Sequence, residues 1–432
     1  MLRFYHDINE EGVPMKRIKK DGKKGMTRRE FVKSTAAMGV AAAVGGIGFP
    51  AVLRGAEPKE ILIGHIHPLS GFLGFDGQEL KKGLMLAVQE INDAGGIKSL
   101  GGAKLKLLDA DSEGKPELAV SAVERFNREG VVAVMGAYQS AVTIVASQQA
   151  ERLQVPFVVT VAVADEVTSR GFKYTFRVQP SAEQMAAQTV KYISEISKAK
   201  GETVKTIAYL HDDTAFGASL SGHVVNYAPK YGMEVIAKVP YSPRAADVST
   251  EVGKIKAAGA DVVMDTGYFG DGVRVLKTMR DMKVKSKGII GCGNGAFTHP
   301  KFVVELGDMT EYVMDGNYRA NPRSPLAQKA FAHYKQVYGT EMGPSTVFAY
   351  QPVYVLADAL ERAKSTKHEA VRDALAKTNL KNHILPQGPI VFGPDGQNKN
   401  AQAAMMQILG GKILVVWPDE YSEAKVVFPQ PA

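Results

Sequence analysis

The five residues Gly136-Ala137-Tyr138-Gln139-Ser140 carry the strongest chemical signal in this sequence. An apolar run ends at Gly136, and an amphipathic helical pattern begins near Ser140. A strand is followed by a short loop and then by the first turn of a helix. This arrangement presents free backbone N–H groups, a hydroxyl and the positive end of a helix dipole. Together these groups suit an anion such as a carboxylate. A serine that only caps the helix uses the same geometry, so both interpretations stay open here.

Two further pairs of polar residues follow predicted strands. His65 and His67 alternate along one strand and share a face, but no third ligand lies nearby in sequence, so a metal site is not predicted. We expect His67 at a cleft and His65 in the interior as a hydrogen-bonded polar group. Asp109 and Asp111 follow another strand, where turn formation and helix capping explain them better than paired-acid catalysis.

The sequence offers little support for an enzyme. The run Gly291-x-Gly293-x-x-Ala296 matches the loosest form of a dinucleotide fingerprint. The next helical pattern begins only at Pro300, however, so a tight backbone turn is the favoured interpretation. Walker A, Gly-x-Ser-x-Gly and His-Glu-x-x-His motifs are absent from the sequence. We therefore predict a binding protein without catalytic residues, cofactor or metal.

The elements that position these residues follow an α/β pattern. Short β-branched runs alternate with amphipathic helices, which predicts parallel sheets covered by helices on both faces. The first series has strands at 61–66, 104–108, 131–135 and 157–159 and helices at 79–94, 116–129 and 140–153. After Pro180 the series restarts, with strands at 206–210, 233–239, 262–265 and 288–290 and helices at 181–197, 215–231, 248–258 and 272–282.

Two series of this size predict two doubly wound lobes. After a strand at 313–318, the remaining chain has helices at 325–338, 350–363 and 368–378 and strands near 389–392, 404–409 and 412–416. It is expected to return and complete each lobe. The predicted first lobe comprises 57–178 plus 319–400, and the second 179–318 plus 401–432. Three crossing strands would then join the lobes as a hinge.

The amino-terminal region has the pattern of an export signal. Thr27-Arg28-Arg29-Glu30-Phe31-Val32-Lys33 precedes an alanine- and glycine-rich run at 34–49. This order resembles a twin-arginine signal, with Val32 in place of the usual leucine. The apolar run is too short for a stable membrane anchor. We predict a signal region at 1–56, cleavage after Ala56, and a periplasmic or other extracytoplasmic location.

The charge of the chain belongs largely to this signal region. The whole sequence has a net charge of +8, but residues 1–56 hold eleven of its 53 Lys and Arg residues and five of its 45 Asp and Glu residues. The remainder is therefore close to neutral, and no nucleic-acid partner is predicted. Cys292 is the only cysteine, which excludes an intramolecular disulfide.

The order of motifs resembles the periplasmic leucine/isoleucine/valine-type binding proteins of ABC importers. The resemblance covers residues 59–417. It is carried by Ile63-Gly64, Pro68-Leu69-Ser70-Gly71, Gly83, Asn92-x-x-Gly95-Gly96-Ile97, Asp109-Ala-Asp111 with Pro116, Gly136-x-x-x-Ser140, Val155-Pro156, Thr168-x-Arg170-Gly171, Phe176-Arg177, His211-Asp212, Phe216-Gly217 and Gly267-Tyr268.

The resemblance implies that a ligand lies between two closing lobes, and it implies roles for particular residues. Ser140, beside Gln139, would hold the ligand carboxylate with its hydroxyl and amide, and Ala162 would approach through its backbone. Aromatic wall positions would be Phe75, Phe216, Tyr268 and Tyr350.

Two departures from the family pattern concern the ligand. Val163 stands where amino-acid-binding members typically have a threonine. The Gly291–Asn294 stretch lacks the glutamate that pairs with the ligand ammonium, and an unpartnered buried ammonium is costly. Asp271 or Asp265 would be the substitutes, although Asp271 is better explained as the cap of a helix at 272.

We therefore expect an exported, monomeric solute-binding protein that delivers a small molecule to the membrane permease of an ABC importer. The resemblance implies a branched-chain or other hydrophobic amino acid. The missing ammonium partner favours an aromatic or aliphatic carboxylate, or an amide, without an α-ammonium group. A ligand-sensing receptor component and an exported nucleotide-dependent oxidoreductase are the alternatives from other classes.

Overall fold

The computed structural model describes residues 58–431, and its first sheet contains five parallel strands in the spatial order β2-β1-β3-β4-β5. The strands are β1 Glu60–His67, β2 Lys104–Asp111, β3 Ala133–Gly136, β4 Phe157–Val159 and β5 Thr175–Arg177. The helices that follow the first three are α1 Gly74–Asp93, α2 Pro116–Glu129 and α3 Ser140–Arg152. The predicted signal region lies outside the described residues.

The second sheet has seven strands in the order β14-β13-β10-β9-β8-β6-β7. They are β6 Thr206–Asp212, β7 Glu234–Tyr241, β8 Val262–Thr266, β9 Gly288–Cys292, β10 Met314–Asn317, β13 Ala404–Leu409 and β14 Lys412–Trp417. Strands β6 to β10 pair in parallel, whereas β13 and β14 add an antiparallel edge. Its helices are α4 Ala182–Ala199, α5 Ala215–Tyr227, α6 Ser249–Ala258, α7 Phe269–Asp281 and α8 Pro300–Leu306.

The chain between β10 and β13 forms three further helices. They are α9 Pro325–Tyr338, α10 Pro344–Ala363 and α11 His368–Ala376, and a small antiparallel pair follows, β11 Asn379–Leu380 and β12 Ile390–Val391. Helix α10 packs along α1, and a Cβ at Gly83 would lie 2.5 Å from Thr346 O, so only glycine permits this close approach. The predicted apolar face of α1 is buried there, comprising Leu80, Leu84, Ala87, Val88 and Ile91.

The prediction of an α/β protein with two parallel-sheet lobes is confirmed. Helices α2 and α9 and strands β4 and β13 have their predicted bounds. Three helices begin earlier than predicted: α1 at Gly74, α7 at Phe269 and α10 at Pro344. The helical pattern expected from Pro300 is helix α8, whereas the three-residue strand β5 was not predicted as an element.

Within residues 58–431, the helices are all too short or too polar to cross a membrane.

Candidate ligand-binding cavity

A cavity lies between the two sheets, next to the carboxyl ends of their strands. About 20 Å³ of it is open to the centre of a water-sized sphere, which is room for about one water molecule. Ligands of doubly wound α/β proteins bind at this edge of the sheet. The lining residues are Tyr138, Val161, Ala162, Val163, Phe216, Gly267, Tyr268, Gly293, Asn294, Gly295, Asn317, Tyr318, Pro344 and Ser345.

Aromatic rings form the walls of this cavity. Tyr138, which follows β3 of the first sheet, faces Tyr268, which follows β8 of the second, with 5.5 Å between ring centroids. Phe216 at the start of α5 lies 5.3 Å from Tyr268. The Tyr318 hydroxyl donates to Val161 O over 3.4 Å, so this side chain also connects the two sides. The cavity therefore suits an apolar group held by residues from both sheets.

A buried arginine holds the first-lobe loop that lines the cavity. Arg177 Nη1 donates to Val163 O at 2.8 Å and to Ala164 O at 2.7 Å, and Nε donates to Gln397 Oε1 at 2.5 Å. Burial lowers the pKa of Arg177 to about 10, so the guanidinium remains charged at neutral pH. Gln179 Nε2 donates to Ala162 O at 3.0 Å. With its carbonyl groups occupied in this way, the loop at 162–164 has a fixed conformation.

Ser140 lies directly behind this loop. The N-cap of α3 is Gln139, Ser140 is the first helical residue, and no side chain caps the helix. The Ser140 hydroxyl accepts from Ala164 N at 3.3 Å, so the simple N-cap interpretation is wrong. Ser140 is buried beside the cavity without belonging to its lining, and Gln139 packs against Gly114.

On the second-lobe side, Asn294 lines the cavity with its side-chain amide already engaged. Its Nδ2 donates to Asp265 Oδ2 at 2.6 Å, and its Oδ1 accepts from Ala296 N at 2.9 Å. The preceding Gly293 has φ +70°, which belongs to a tight turn after β9. The loose dinucleotide match is therefore a structural turn.

Three buried carboxylates lie behind the second-lobe wall: Asp212, Asp265 and Asp271, called here the acid cluster. The Tyr241 hydroxyl lies 3.0 Å from Asp271 Oδ2 and 3.4 Å from Asp265 Oδ1. Burial raises the pKa of Asp212 and of Asp271 to about 7, and it raises that of Asp265 well above its usual value. Near neutral pH these groups therefore carry much less charge than ordinary carboxylates.

Asp271 is the third residue of α7 and not its N-cap, which is Tyr268. Its Oδ2 accepts from Tyr268 N at 3.1 Å, so it closes the first turn of α7. A Cβ at Gly267 would lie 2.4 Å from Asp271 Oδ2, which shows how closely this carboxylate approaches the cavity wall. Asp271 itself does not line the cavity.

Two predicted aromatic wall residues lie elsewhere. Phe75 packs against Phe269 at 4.7 Å and His299 at 5.2 Å, in a neighbouring contact between the two lobes. Tyr350 donates to Glu90 and lies outside the cavity. Because α10 begins at Pro344, Pro344 and Ser345 reach the cavity, while Tyr350 is about 9 Å further along the helix axis.

The histidine pair and the paired acids have structural partners. His65 Nε2 lies 2.7 Å from Asp109 Oδ1, and His67 Nε2 lies 3.1 Å from Thr160 Oγ1. Both histidines are buried, and neither belongs to the cavity lining, so the expectation that His67 lines a cleft is wrong. Asp111 Oδ1 accepts backbone N–H groups of Leu69 and Glu113 at 2.8 Å, as expected for a turn residue.

The structure thus brings Ala162, Val163, Phe216, Tyr268 and Asn294 together at the cavity. Several residues in or next to the cavity were not predicted as site residues, because their sequence context indicated such a role only weakly or not at all. Tyr138 belongs to the loop singled out in the sequence, Gly267 and Arg177 belong to quoted motifs, and Asn317-Tyr318 ends a predicted strand. Pro344 and Ser345 precede the helix predicted at 350–363 and had no signal.

Two α/β lobes with a cavity between them at the carboxyl ends of both sheets define a ligand-binding protein of the two-lobed type. The family model described as periplasmic binding protein matches residues 60–412. Leu/Ile/Val-binding protein homolog 8 of Brucella abortus is 31% identical over 393 residues, which cover 89% of this chain and 96% of that protein. The chain belongs to the periplasmic binding protein family.

Solved structures show the same fold. A leucine-binding protein, LivK, from Thermotoga maritima has a TM-score of 0.72 and 23% identity, over 82% of this chain and 97% of that one. The branched-chain amino acid transporter substrate-binding protein LivJ from Streptococcus pneumoniae, in complex with isoleucine, has a TM-score of 0.72 and 24% identity. That match covers 86% of this chain and all of the other.

Proposed function

We propose that this protein is the substrate-binding component of an ABC importer and that it captures a small hydrophobic ligand between its lobes. The observation that carries the proposal is the cavity at the carboxyl ends of both sheets, with aromatic walls from each side. Such a protein binds its ligand and passes it to a membrane permease, so it performs no catalysis. We propose that it acts as a monomer, without a cofactor and without a nucleic-acid partner.

The relatives favour a branched-chain amino acid as the ligand. The Brucella proteins are Leu/Ile/Val-binding protein homologues, and the two structural neighbours are a leucine-binding protein and an isoleucine complex. The aromatic walls suit a branched aliphatic side chain. Ser140 and the loop at 162–164 would bind its carboxylate. A thermal-shift screen tests the proposal, since a ligand that binds only the folded state raises the melting temperature.

One observation favours a second candidate ligand, a carboxylate without an α-ammonium group. Among the described residues, the cavity lining contains no Asp or Glu, and Val163 offers no hydroxyl. Carboxylates behind the lining belong to the acid cluster, to Asp76, which accepts from the Tyr138 hydroxyl at 3.0 Å, and to Asp315, which accepts from Asn317 Nδ2 at 2.9 Å. Burial raises the pKa of Asp76, Asp212, Asp271 and Asp315 to about 7, so they are mostly neutral below pH 7. A 2-oxo acid or an aromatic acid requires no anionic partner in this wall.

Ligand entry requires the lobes to separate, because the cavity is too small for an amino acid. We propose the predicted lobe boundaries and a hinge of three crossing segments. The first and third crossings are joined by hydrogen bonds: Gln397 Nε2 donates to Gln179 O, and Asn398 Nδ2 to Val178 O, both at 2.9 Å. Movement about such short segments would open the cavity without disturbing either sheet.

Replacing Ser140 with alanine tests the proposed carboxylate contact. We expect Ser140→Ala to weaken ligand binding by about 1–3 kcal/mol, the usual contribution of a hydrogen bond to a charged group. The unliganded protein should lose little stability, because the hydroxyl makes only one long contact at 3.3 Å. Calorimetric titration and thermal unfolding measure the two effects.

The matched control is Ser147→Ala on the same helix. Its buried hydroxyl donates to Thr143 O at 2.7 Å and has no contact with the cavity, so we expect a loss of stability without a loss of affinity. A large destabilisation by Ser140→Ala with unchanged affinity would show that Ser140 has only a structural role.

We propose export to the periplasm by a twin-arginine signal. Replacing both Arg28 and Arg29 with lysine should leave the precursor in the cytoplasm, because the paired guanidinium groups are the feature that the export receptor recognises. Cell fractionation with an antibody against the mature protein measures the distribution. Normal export of the Lys-Lys variant would instead indicate a general secretory signal.

A further inference from the structure

A second and larger cavity lies outside the site described above. This groove has a volume of about 450 Å³, which is in the range of small-molecule sites. One side is formed by α8 and the β13–β14 hairpin of the second sheet, and the other by α9 and the loop after it. Its apolar walls include Val303, Phe331, Met342, Ile413 and Leu414.

Arg319 lies in this groove. Its Nε is buried and has no hydrogen-bond acceptor among residues 58–431. The guanidinium carbon lies 5.6 Å from the centre of the Phe331 ring. Burial lowers the pKa of Arg319, and Glu423 and Glu341 oppose this only through longer-range attraction. A guanidinium in this position offers several donors to an anion.

The other charges around the groove do not neutralise Arg319. The Glu341 carboxylate at the rim pairs with Lys335 at 2.7 Å. Lys412 is an exposed second cation in the lining. The groove therefore combines a positive end with apolar walls.

The rim also exposes apolar surface. Val304 on α8 is 83% exposed, the highest value among the large hydrophobic residues described as exposed. An apolar chain lying along α8 would cover this side chain and remove its surface from water, which is favourable in proportion to the area buried.

We propose that this groove is a second ligand site, which binds a small monocarboxylate with an apolar chain. The carboxylate contacts Arg319, and the chain lies between Phe331 and the apolar residues of α8 and the hairpin. The site is separate from the cavity between the sheets, although Arg319 directly follows Tyr318 of that cavity. Tyr318 lines the cavity and Arg319 lines the groove, so two consecutive residues contribute to different sites.

Octanoate is the test ligand, and a fluorophore at the rim makes the measurement specific to the groove. The Glu305→Cys variant can be labelled selectively with a solvent-sensitive dye, because Glu305 is exposed on α8 next to the groove without lining it and the native Cys292 is buried. We expect a saturable fluorescence change with octanoate. Octan-1-ol, which has the same chain and no charge, should bind roughly tenfold or more weakly.

Variants of the labelled protein test the role of the guanidinium. Arg319→Gln should weaken octanoate binding roughly tenfold or more, and Arg319→Lys should retain more of the affinity because it keeps the charge. Arg128→Gln, an equal loss of charge on the exposed surface of α2, should have no effect. Circular dichroism checks the fold of each variant.

Three results would overturn the proposal: no saturable change with millimolar octanoate, equal binding of octanoate and octan-1-ol, or unchanged affinity in both Arg319 variants.

Discussion

We expect Arg177→Leu to cause a severe loss of stability together with a loss of ligand binding. The substitution removes a buried guanidinium that donates to the carbonyl groups of Val163 and Ala164, and to Thr168 Oγ1 at 3.1 Å. Leucine removes these hydrogen bonds and the one to Gln397 Oε1, and a hydrogen bond from a charged group contributes about 1.5–3 kcal/mol. Val163 O and Ala164 O each keep one backbone donor, Ala182 N at 2.7 Å and Val167 N at 3.1 Å, so the losses are not simply additive. The free energy of unfolding should therefore fall by on the order of 3–5 kcal/mol. Urea denaturation measures this change, and calorimetric titration measures affinity.

The affinity of Arg177→Leu for the ligand should also fall, because the loop at 162–164, to which Arg177 donates, lines the cavity. Arg177→Lys keeps the charge but cannot donate in several directions at once, so we expect an intermediate stability. The matched control is Arg170→Leu, since Arg170 also donates to a carbonyl, Ile144 O at 2.8 Å, but does not touch the loop at 162–164. That control should lose some stability and keep its affinity. Arg177→Leu within about 1 kcal/mol of the original protein would refute the role assigned to Arg177.

We expect 4-methyl-2-oxopentanoate to bind at least as tightly as leucine at pH 6. The two ligands share the carboxylate and the branched chain, and they differ in the α-ammonium group. The cavity wall, as described above, presents no carboxylate to that ammonium, and burying a charge without a partner is costly. The acid cluster is mostly protonated at pH 6, because burial has raised the pKa of Asp212 and Asp271 to about 7.

The ratio of the two affinities should shift in favour of leucine as the pH rises from 6 to 8. The folded-state pKa of these acids is raised, so they lose their protons as the pH passes 7, and the negative charge behind Gly267 then attracts the ligand ammonium. Binding of the 2-oxo acid should weaken over the same range, because its carboxylate experiences like charge. Calorimetric titration of both ligands at the two pH values measures the ratio of dissociation constants.

Asp271→Asn separates the electrostatic effect from other causes. Its amide oxygen can still accept from Tyr268 N, so the cap of α7 is retained, while one of the titrating groups is removed. We expect the pH dependence of the ratio to become smaller and the ratio at pH 6 to stay unchanged. Leucine binding more than tenfold tighter at pH 6, about 1.4 kcal/mol, would contradict the proposal of an uncharged wall.

Much of the secondary structure could be predicted because its signals are local. Helix α2 begins at Pro116 and ends before Gly130, which has φ +74°, so both ends are determined by residues next to them. Helix α4 begins with a capping box, in which Ser181 and Gln184 satisfy each other's backbone N–H groups. Helix α10 was predicted too short, because Pro352 lies inside it.

The cavity could be predicted only in part, because its residues come from separate segments. Ala162, Tyr268 and Asn294 follow strands, and the carboxyl ends of parallel strands meet at one edge, so their position follows from the α/β pattern. Tyr350 was assigned through resemblance alone. Its helix begins at Pro344, so Tyr350 bonds to Glu90 of α1 instead.

The sequence by itself determined the alternation of strands and helices, the two lobes and the Gly136–Ser140 motif at the start of helix α3. Those features depend on periodicity and on turn residues, which act over a few positions. Only the tertiary structure decided that Arg177 is buried among carbonyl groups and that Asp212, Asp265 and Asp271 are buried together. It likewise decided that the buried Nε of Arg319 has no acceptor within residues 58–431. Burial and charge neutralisation depend on which distant segments meet, and no local pattern contains that information.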